Sequence, residues 1–146
     1  MSEPIPTPAR AEDLHAVQEL LQTVSLPTEG LTDAFPEGYA LIRDGSALVG
    51  VAGIEVYADV ALLRSVAVAP AQRSRGLGRV LVADRLRAAR QRRLSCVYLL
   101  TTTAAEYFQG LGFAKVERAA AAVQIQQSRE FASICPASAV CLALAL

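Results

Sequence analysis

The sequence predicts one α/β domain over residues 1–146, with a mixed central sheet of about six to seven strands flanked by helices. Three observations support this fold class. The chain has 146 residues, 53% of them apolar, which suits one sizeable hydrophobic core. Short apolar runs typical of strands alternate with segments whose apolar residues recur at helical spacing. Asp44-Gly45, between two of the apolar runs, is a hairpin-turn signal.

The first half of the chain predicts an edge strand, a helix and three antiparallel strands. Residues 4–7 can form a first edge strand, although two prolines weaken it. A helix follows, because apolar residues recur at helical spacing from Ala11 to Leu21. Residues 26–38 are expected to be a loop with one helical turn at 31–35. The three strands are expected at Tyr39–Arg43, Ala47–Tyr57 and Val60–Val68.

The second half predicts two further helices that alternate with strands. The strand Cys96–Thr102 is apolar enough to be central and parallel to Val60–Val68. Residues 119–136 are ambiguous, since they can cover a ligand pocket or lie against the sheet. The other elements expected here are helices at Gly76 to about Leu94 and Ala104–Leu111, and strands at Phe113–Arg118 and Ala139–Leu146.

The stretch from Leu62 to Arg79 predicts an anion-binding site. It consists of an apolar strand, a loop rich in Arg and Gly, and the start of a helix, whose first N–H groups attract anions. Gly76 and Gly78 carry no Cβ, so a phosphate can approach the backbone closely. A P-loop would need Lys and then Ser or Thr after Gly78, and a dinucleotide fingerprint would need Gly at Leu81.

Two motifs resemble the GNAT N-acetyltransferases. Arg73-x-x-Gly76-x-Gly78, after an apolar strand, resembles the acyl-CoA pyrophosphate loop of that family. The run Ala104-x-x-Tyr107-Phe108-x-x-Leu111-Gly112-Phe113 resembles its second signature, and the predicted order of elements is the family's order. More narrowly, residues 63–68, 98–103 and 135–139 look like the subfamily named for arsenic-resistance operons.

This resemblance implies a V-shaped split between two parallel strands, 62–68 and 97–103. Pantetheine lies in the gap of such a fold and pairs with the backbone of one strand, so acetyl-CoA is the implied cosubstrate. The backbone N–H of Val68 would then polarise the thioester carbonyl. The residues expected to bind the cofactor are Val66, Ala67, Val68, Arg73, Ser74, Arg75, Gly76, Leu77, Gly78 and Arg79.

Glu55 and Tyr107 are the candidate catalytic residues. Glu55 lies on the strand next to the cofactor strand and can take a proton from the attacking amine; alternatively it forms an ion pair with Arg64. Many GNAT enzymes place a Tyr, which protonates the thiolate, where this chain has Phe108. Tyr107 is the adjacent candidate, although neighbouring helix positions point about 100° apart. Otherwise, water protonates the thiolate.

Arg64, Thr102 and Cys135 are the candidate acceptor-binding residues. Arg64 is a cation in an apolar strand and must be paired, by the acceptor's anionic group or by a neighbouring carboxylate such as Glu55 or Asp59. Thr102 belongs to the second of the arsenic-resistance segments. The same resemblance suggests an acceptor such as arsinothricin or phosphinothricin, and a contact of Cys135 with trivalent arsenic; alternatively, this thiol packs in a loop.

Composition argues against several other classes. The net charge is zero and the Arg-rich helix lacks interleaved aromatics, so nucleic acid is not an expected partner. Three Cys and no signal peptide favour free thiols in a reducing cytoplasm, without metal-site spacing. No apolar run approaches the ~20 residues of a membrane helix.

The alternatives to an enzyme are an inactive acyl-CoA-binding sensor and a nucleic-acid-binding module on the Arg-rich helix. A homodimer is compatible with the sequence.

Overall fold

The computed structural model describes residues 5–73, 75–128, 131–132 and 138–146. Among them, a seven-stranded sheet with the order β1-β2-β3-β4-β5-β7-β6 forms the centre. Its strands are β1 (Thr7–Pro8), β2 (Tyr39–Asp44), β3 (Ala47–Tyr57), β4 (Val60–Val68), β5 (Cys96–Thr101), β6 (Ala114–Val116) and β7 (Val140–Ala145). The helices are α1 (Leu14–Thr23), α2 (Leu31–Ala34), α3 (Leu77–Gln91), α4 (Ala105–Gly110) and α5 (Val123–Gln126).

The predicted mixed sheet is confirmed. Strands β1 to β4 are antiparallel neighbours, β4 and β5 are parallel, and β7 runs antiparallel to both β5 and β6. The parallel pair is possible because the crossover through α3 returns the chain to the end of the sheet at which β4 begins. This crossover also brings the Arg- and Gly-rich loop to the carboxyl end of β4.

Helices cover both faces of the sheet. On one face, Val82 and Leu86 of α3 pack with Leu63, Leu99 and Phe108 in the largest apolar cluster. On the other face, α1 packs on β3 and β4. A second cluster on this face has Val17, Leu21, Leu41 and Val51 among its buried members. This two-sided burial explains why β3, β4 and β5 are almost continuously apolar.

Several boundaries differ from those predicted. The first strand lies at Thr7–Pro8 instead of 4–7, and the strand expected at Phe113–Arg118 is limited to Ala114–Val116. Helix α3 begins at Leu77, since Gly76 has a left-handed backbone, and it ends at Gln91.

The ambiguous segment 119–136 lies against the sheet where the structure describes it. Ile125 of α5 is completely buried beside Val60, Leu62 and Cys141. In the described ranges, no helix has both the length and the apolar character that spanning a membrane requires.

Candidate active site

The parallel strands β4 and β5 are paired at their beginning and separate after Leu62 and Tyr98. Their pairing runs from Val60↔Cys96 to Leu62↔Tyr98, whereas β4 continues to Val68 and β5 to Thr101. The gap is a cleft of about 680 Å³, with Leu63 to Val68 on one wall and Leu99 to Thr101 on the other. The predicted V-shaped split is therefore present.

A bulge in β4 marks the place where the strands separate. Val51 pairs with Ala67 and Gly53 with Arg64, so β4 has one more residue than β3 between these pairs. Ser65 lies in this extra length and has a left-handed backbone with φ 57°. A bulge bends its strand and re-aims side chains, which here directs β4 away from β5.

The backbone of β4 presents polar groups to the cleft. Ala69 donates its N–H to the carbonyl of Val49 on β3, at 2.8 Å. Because N–H groups alternate between the two sides of a strand, the N–H of Val68 points away from β3 and toward the gap. This is the direction that the predicted oxyanion donor requires.

The loop after β4 forms one end of the cleft. A 3-10 turn at Pro70–Gln72 follows the strand, and Gly76, at φ 76°, caps the start of α3. Among the described residues, no atom lies within 4 Å of the position that a Cβ on Gly76 would take, beyond its chain neighbours. Arg73 and Arg79 both line the cleft and have exposed side chains. Exposed cations beside a helix N-terminus suit a phosphate-bearing ligand.

Most residues predicted to bind the cofactor line this cleft. They are Val66, Ala67, Val68, Arg73, Gly76, Leu77, Gly78 and Arg79. Arg75 is exposed, and its guanidinium donates a hydrogen bond to the side-chain oxygen of Gln72. Ser74 lies outside the described residues. The cleft wall also includes Gln72, Val24 and Leu26. In the sequence, Gln72 falls within the predicted anion-binding stretch, and Leu26 begins the predicted loop at 26–38.

Tyr107 of α4 contacts the opposite side of the cleft. A Cβ built on Gly78 would lie 2.5 Å from the Tyr107 hydroxyl oxygen, so the missing side chain leaves room for this hydroxyl. Burial raises the pKa of the Tyr107 phenol, against an opposing effect of Arg79. The phenol is therefore protonated at neutral pH. The Tyr107 hydroxyl lies beside the first turn of α3, at the end of the cleft that the loop after β4 forms.

Phe108 is one of the residues that line the cleft, but most of its ring is packed in the hydrophobic core. It is 7% exposed and makes edge-to-face contacts with Tyr107 and Phe113, at centroid distances of 5.2 and 5.9 Å. The position that carries a Tyr in many GNAT enzymes thus offers no hydroxyl. The role of Tyr107 as the acid stays a prediction.

Arg64 lies at the wall of the cleft and is held from three sides. Its Nη1 is 3.3 Å from Oε2 of Glu55, and its Nη2 donates to the backbone carbonyl of Glu29 at 2.8 Å. Its Nε donates to the hydroxyl of Ser65 at 3.2 Å. The ion pair between Arg64 and Glu55 that the sequence allowed is therefore present. Since Glu29 lies between α1 and α2, Arg64 also ties this segment to β4.

Glu55 lies behind Arg64. Its Oε1 accepts a hydrogen bond from the Tyr57 hydroxyl at 2.8 Å, and its side chain is 10% exposed. Arg64 is among the residues that line the cleft, whereas Glu55 is not. An incoming amine meets the guanidinium first, so a base role for Glu55 would require a water or a movement of Arg64. That role stays a prediction.

Thr102 and Cys135 are the other two residues predicted to bind the acceptor. Thr102 is exposed, and its neighbours Thr101 and Thr103 line the cleft. The hydroxyl of Thr101 accepts the backbone N–H of Ala104 at 3.0 Å and so stabilises the turn into α4. Cys135 lies outside the described residues.

Two arginines of the Arg-rich helix α3 make contacts within the protein. Arg85 donates to the backbone carbonyl of Gly38 at 2.7 Å and pairs with Asp84 at 2.8 Å. Arg87 also contacts Asp84. Within the described part of the chain, no group of three or more His, Cys, Asp or Glu side chains is arranged to hold a metal ion.

The site and sheet define a class: α/β proteins whose central sheet opens between two parallel strands beside an Arg- and Gly-rich loop. The family model for the acetyltransferase (GNAT) family matches residues 8–113. The chain belongs to this family, and the predicted resemblance to the GNAT family is confirmed. A search of curated protein sequences gives no match.

Solved structures share the fold at low sequence identity. N-acetylglutamate synthase from Neisseria gonorrhoeae, complexed with coenzyme A and N-acetyl-glutamate, has a TM-score of 0.85 at 18% identity, over 100% of this chain and 36% of that one. The chain thus spans about a third of the length of that synthase. Rv2747 from Mycobacterium tuberculosis, in complex with CoA, has a TM-score of 0.80 at 23% identity, over 98% and 99% of the two chains. PaiA N-acetyltransferase from Thermoplasma acidophilum, also in complex with coenzyme A, has 0.70 at 11%, over 99% and 100%.

Proposed function

We propose that the chain is an acetyl-CoA-dependent N-acetyltransferase that acts on a small amine. The observation that carries the proposal is the gap between β4 and β5, which ends at the loop of Arg73 and Gly76. Such a gap can hold an extended pantetheine chain, and the loop can hold its pyrophosphate. Complexes of structural neighbours with coenzyme A support acetyl-CoA as the cosubstrate.

The acceptor is proposed to be an arsenical or phosphinic amino acid, such as arsinothricin or phosphinothricin, in a role in arsenic resistance and detoxification. Support comes from the three short segments that resemble the arsenic-resistance subfamily. It also comes from the cleft wall, where the cation Arg64 suits an acceptor with an anionic group. The reaction would occur in the cytoplasm, where acetyl-CoA is made and used.

Transfer would proceed by direct attack. The amine nitrogen bonds to the acetyl carbon, the carbon–sulfur bond breaks, and coenzyme A leaves as a thiolate. The Val68 N–H stabilises the oxyanion that forms on the carbonyl oxygen. The ammonium group loses one proton to water or to a base before the attack, and the nitrogen loses a second proton as the amide forms. A proton from water or Tyr107 neutralises the thiolate, and the donor regains its proton from the solvent, so each turnover releases one proton. A thiol pKa near 8.5 lets the thiolate leave with modest help.

An acyl-enzyme route is not supported by the described residues. His15 is exposed on α1 and pairs with Glu19 at 2.9 Å. Neither residue is among those that line the cleft. No described cysteine lines the cleft either.

An acetyl-CoA consumption assay across a panel of amines tests the proposal. The panel includes arsinothricin, phosphinothricin and L-glutamate, with spermidine as an amine that has no oxyanion. Release of free CoA that depends on an amine supports the enzyme. CoA binding without turnover of any amine would instead favour the acyl-CoA sensor.

Gly76→Asp tests the position of the cofactor. The substitution places a carboxylate where the pyrophosphate is expected, so the affinity for CoA should fall at least tenfold, or about 1.4 kcal/mol, by calorimetry. Gly45→Asp is the matched control, because Gly45 also has a positive φ and open space but lies in the β2–β3 turn. Equal CoA affinity in both folded variants would contradict the site.

A further inference from the structure

Ser65 has a position in the cleft that the proposed mechanism does not use. It lies in the β4 bulge where β4 leaves β5, it is half-buried, and it lines the cleft beside Arg64. Its backbone is left-handed, with φ 57°, a conformation that is unfavourable for a residue with a Cβ. Such conformations cluster at functional sites.

The hydrogen bond from Arg64 determines what the Ser65 hydroxyl can do. A serine hydroxyl has one O–H donor and two acceptor lone pairs. The Nε of Arg64 donates to the Ser65 oxygen at 3.2 Å, so the O–H must point elsewhere. A charged donor on its oxygen also makes the hydroxyl a stronger donor in turn.

Arg64 is itself fixed. Its other nitrogens bind Oε2 of Glu55 and the carbonyl of Glu29, and its side chain is 4% exposed. The guanidinium that binds the Ser65 oxygen is therefore held by contacts outside the cleft. A hydroxyl donor beside a held cation is suited to an anionic oxygen, because the hydroxyl supplies the hydrogen bond and the guanidinium the favourable field.

We propose that Ser65 is a specificity-determining residue that donates its hydroxyl hydrogen to an oxyanion of the acceptor amine. The oxyanion is that of a phosphinate, an arsonate-type group or a carboxylate, which share this hydrogen-bonding chemistry. This inference rests on the proposed function and deepens it. The acceptor class is an amine with an oxyanion, and Arg64 acts as the positioning residue for the hydroxyl.

The unusual backbone makes the test selective. Ser65→Gly removes the hydroxyl at a position whose φ favours glycine, so the unfolding temperature should change little. Ser65→Ala removes the hydroxyl and keeps the Cβ. Ala58→Gly is the control for the backbone effect, because Ala58 has φ 56° in the exposed β3–β4 turn, away from the cleft.

The measurement is calorimetric titration of the CoA-saturated protein with phosphinothricin, and then with L-glutamate and spermidine. Both Ser65 variants should bind phosphinothricin roughly ten- to a hundredfold more weakly than the wild type, as expected for a hydrogen bond to a charged group. Ala58→Gly should bind it normally, and CoA affinity should be unchanged in all variants. Binding of phosphinothricin within twofold of wild type in both Ser65 variants would overturn the proposal.

The assay panel separates this proposal from the proposed function. If the wild type turns over spermidine and no anionic amine, the role of Ser65 is overturned and the acetyltransferase stands. If anionic amines bind through Ser65 but none consumes acetyl-CoA, the proposed function fails and the role of Ser65 stands.

Discussion

Gly78 and Tyr107 come from opposite sides of the cleft and meet at its loop end. The contact exists because Gly78 has no side chain: a methyl group there would lie 2.5 Å from the hydroxyl oxygen, but 3.4 Å from the next atom of the ring. The hydroxyl oxygen alone is therefore too close. A steric relation between two atoms can be tested by removing either one.

The change in unfolding free energy caused by Gly78→Ala should be more favourable in the Tyr107→Phe variant than in the wild type. Ala is favoured over Gly in a helix by about 0.5–1 kcal/mol, and Phe leaves room for the methyl group. The free energies of unfolding of the four proteins give a coupling expected at about 0.5–1.5 kcal/mol. Gly110→Ala, in α4 with open space around its Cβ, is the control and should be insensitive to Tyr107→Phe. Equal effects of Gly78→Ala in both backgrounds would contradict the contact.

At the scale of elements, strands β3 and β4 hold a polar group between apolar neighbours. Glu55 bridges Tyr57 of its own strand and Arg64 of the next one, at 2.8 and 3.3 Å. The regular pairing between the β3–β4 turn and the bulge puts Arg64 opposite Gly53, which is diagonal to Glu55. The carboxylate can orient Arg64, whereas a base must reach the amine.

Glu55→Gln separates these two roles. If Glu55 orients Arg64, the KM of the acceptor should rise while kcat at neutral pH stays within about tenfold of wild type and the acidic limb of the pH profile remains. A general base would instead cost on the order of 10²- to 10⁴-fold in kcat and remove that limb. Tyr57→Phe is the control, because it removes one hydrogen bond to the same carboxylate and leaves its charge.

The sequence predicted the elements whose signals are local. The bounds of β3 and β4 are confirmed, because long apolar runs end at clear turns, and the Arg- and Gly-rich loop lies where its glycines placed it. The bulge at Ser65 was missed, since a bulge is a property of two paired strands. The contact of Tyr107 with Gly78 was missed for a similar reason: it joins α4 to α3 across the cleft.

At the scale of the whole molecule, stability depends on apolar packing that includes a thiol. Cys141 belongs to strand β7 and is 2% exposed. It lies in the apolar cluster that contains Ile125 of α5. Burial raises the pKa of this thiol to about 11. The folded chain therefore resists ionisation at a pH where an unfolded thiol, with a pKa near 8.5, has already lost its proton.

Alkaline pH should weaken the fold through Cys141. A raised native pKa contributes stability that is complete below the unfolded pKa and is lost as pH rises toward the native one. Between about pH 8.5 and pH 11, the free energy of unfolding should fall by up to about 1.4 kcal/mol per pH unit from this group. Denaturant unfolding at pH 8 and pH 10 measures the change, and Cys141→Val should show a smaller one. An identical decline in both proteins would show that other groups cause it.

The short pairing of β4 with β5 has a mechanical consequence. The sheet consists of two hydrogen-bonded plates, β1 to β4 and β5 to β7, whose strands are joined along one edge by three residue pairs. Bending about that edge changes the width of the gap without breaking a hydrogen bond of either plate. A pantetheine chain that pairs with the backbone of one strand and fills the gap would resist this bending. Stiffness of the sheet would then depend on the cosubstrate, and release of coenzyme A would restore its compliance.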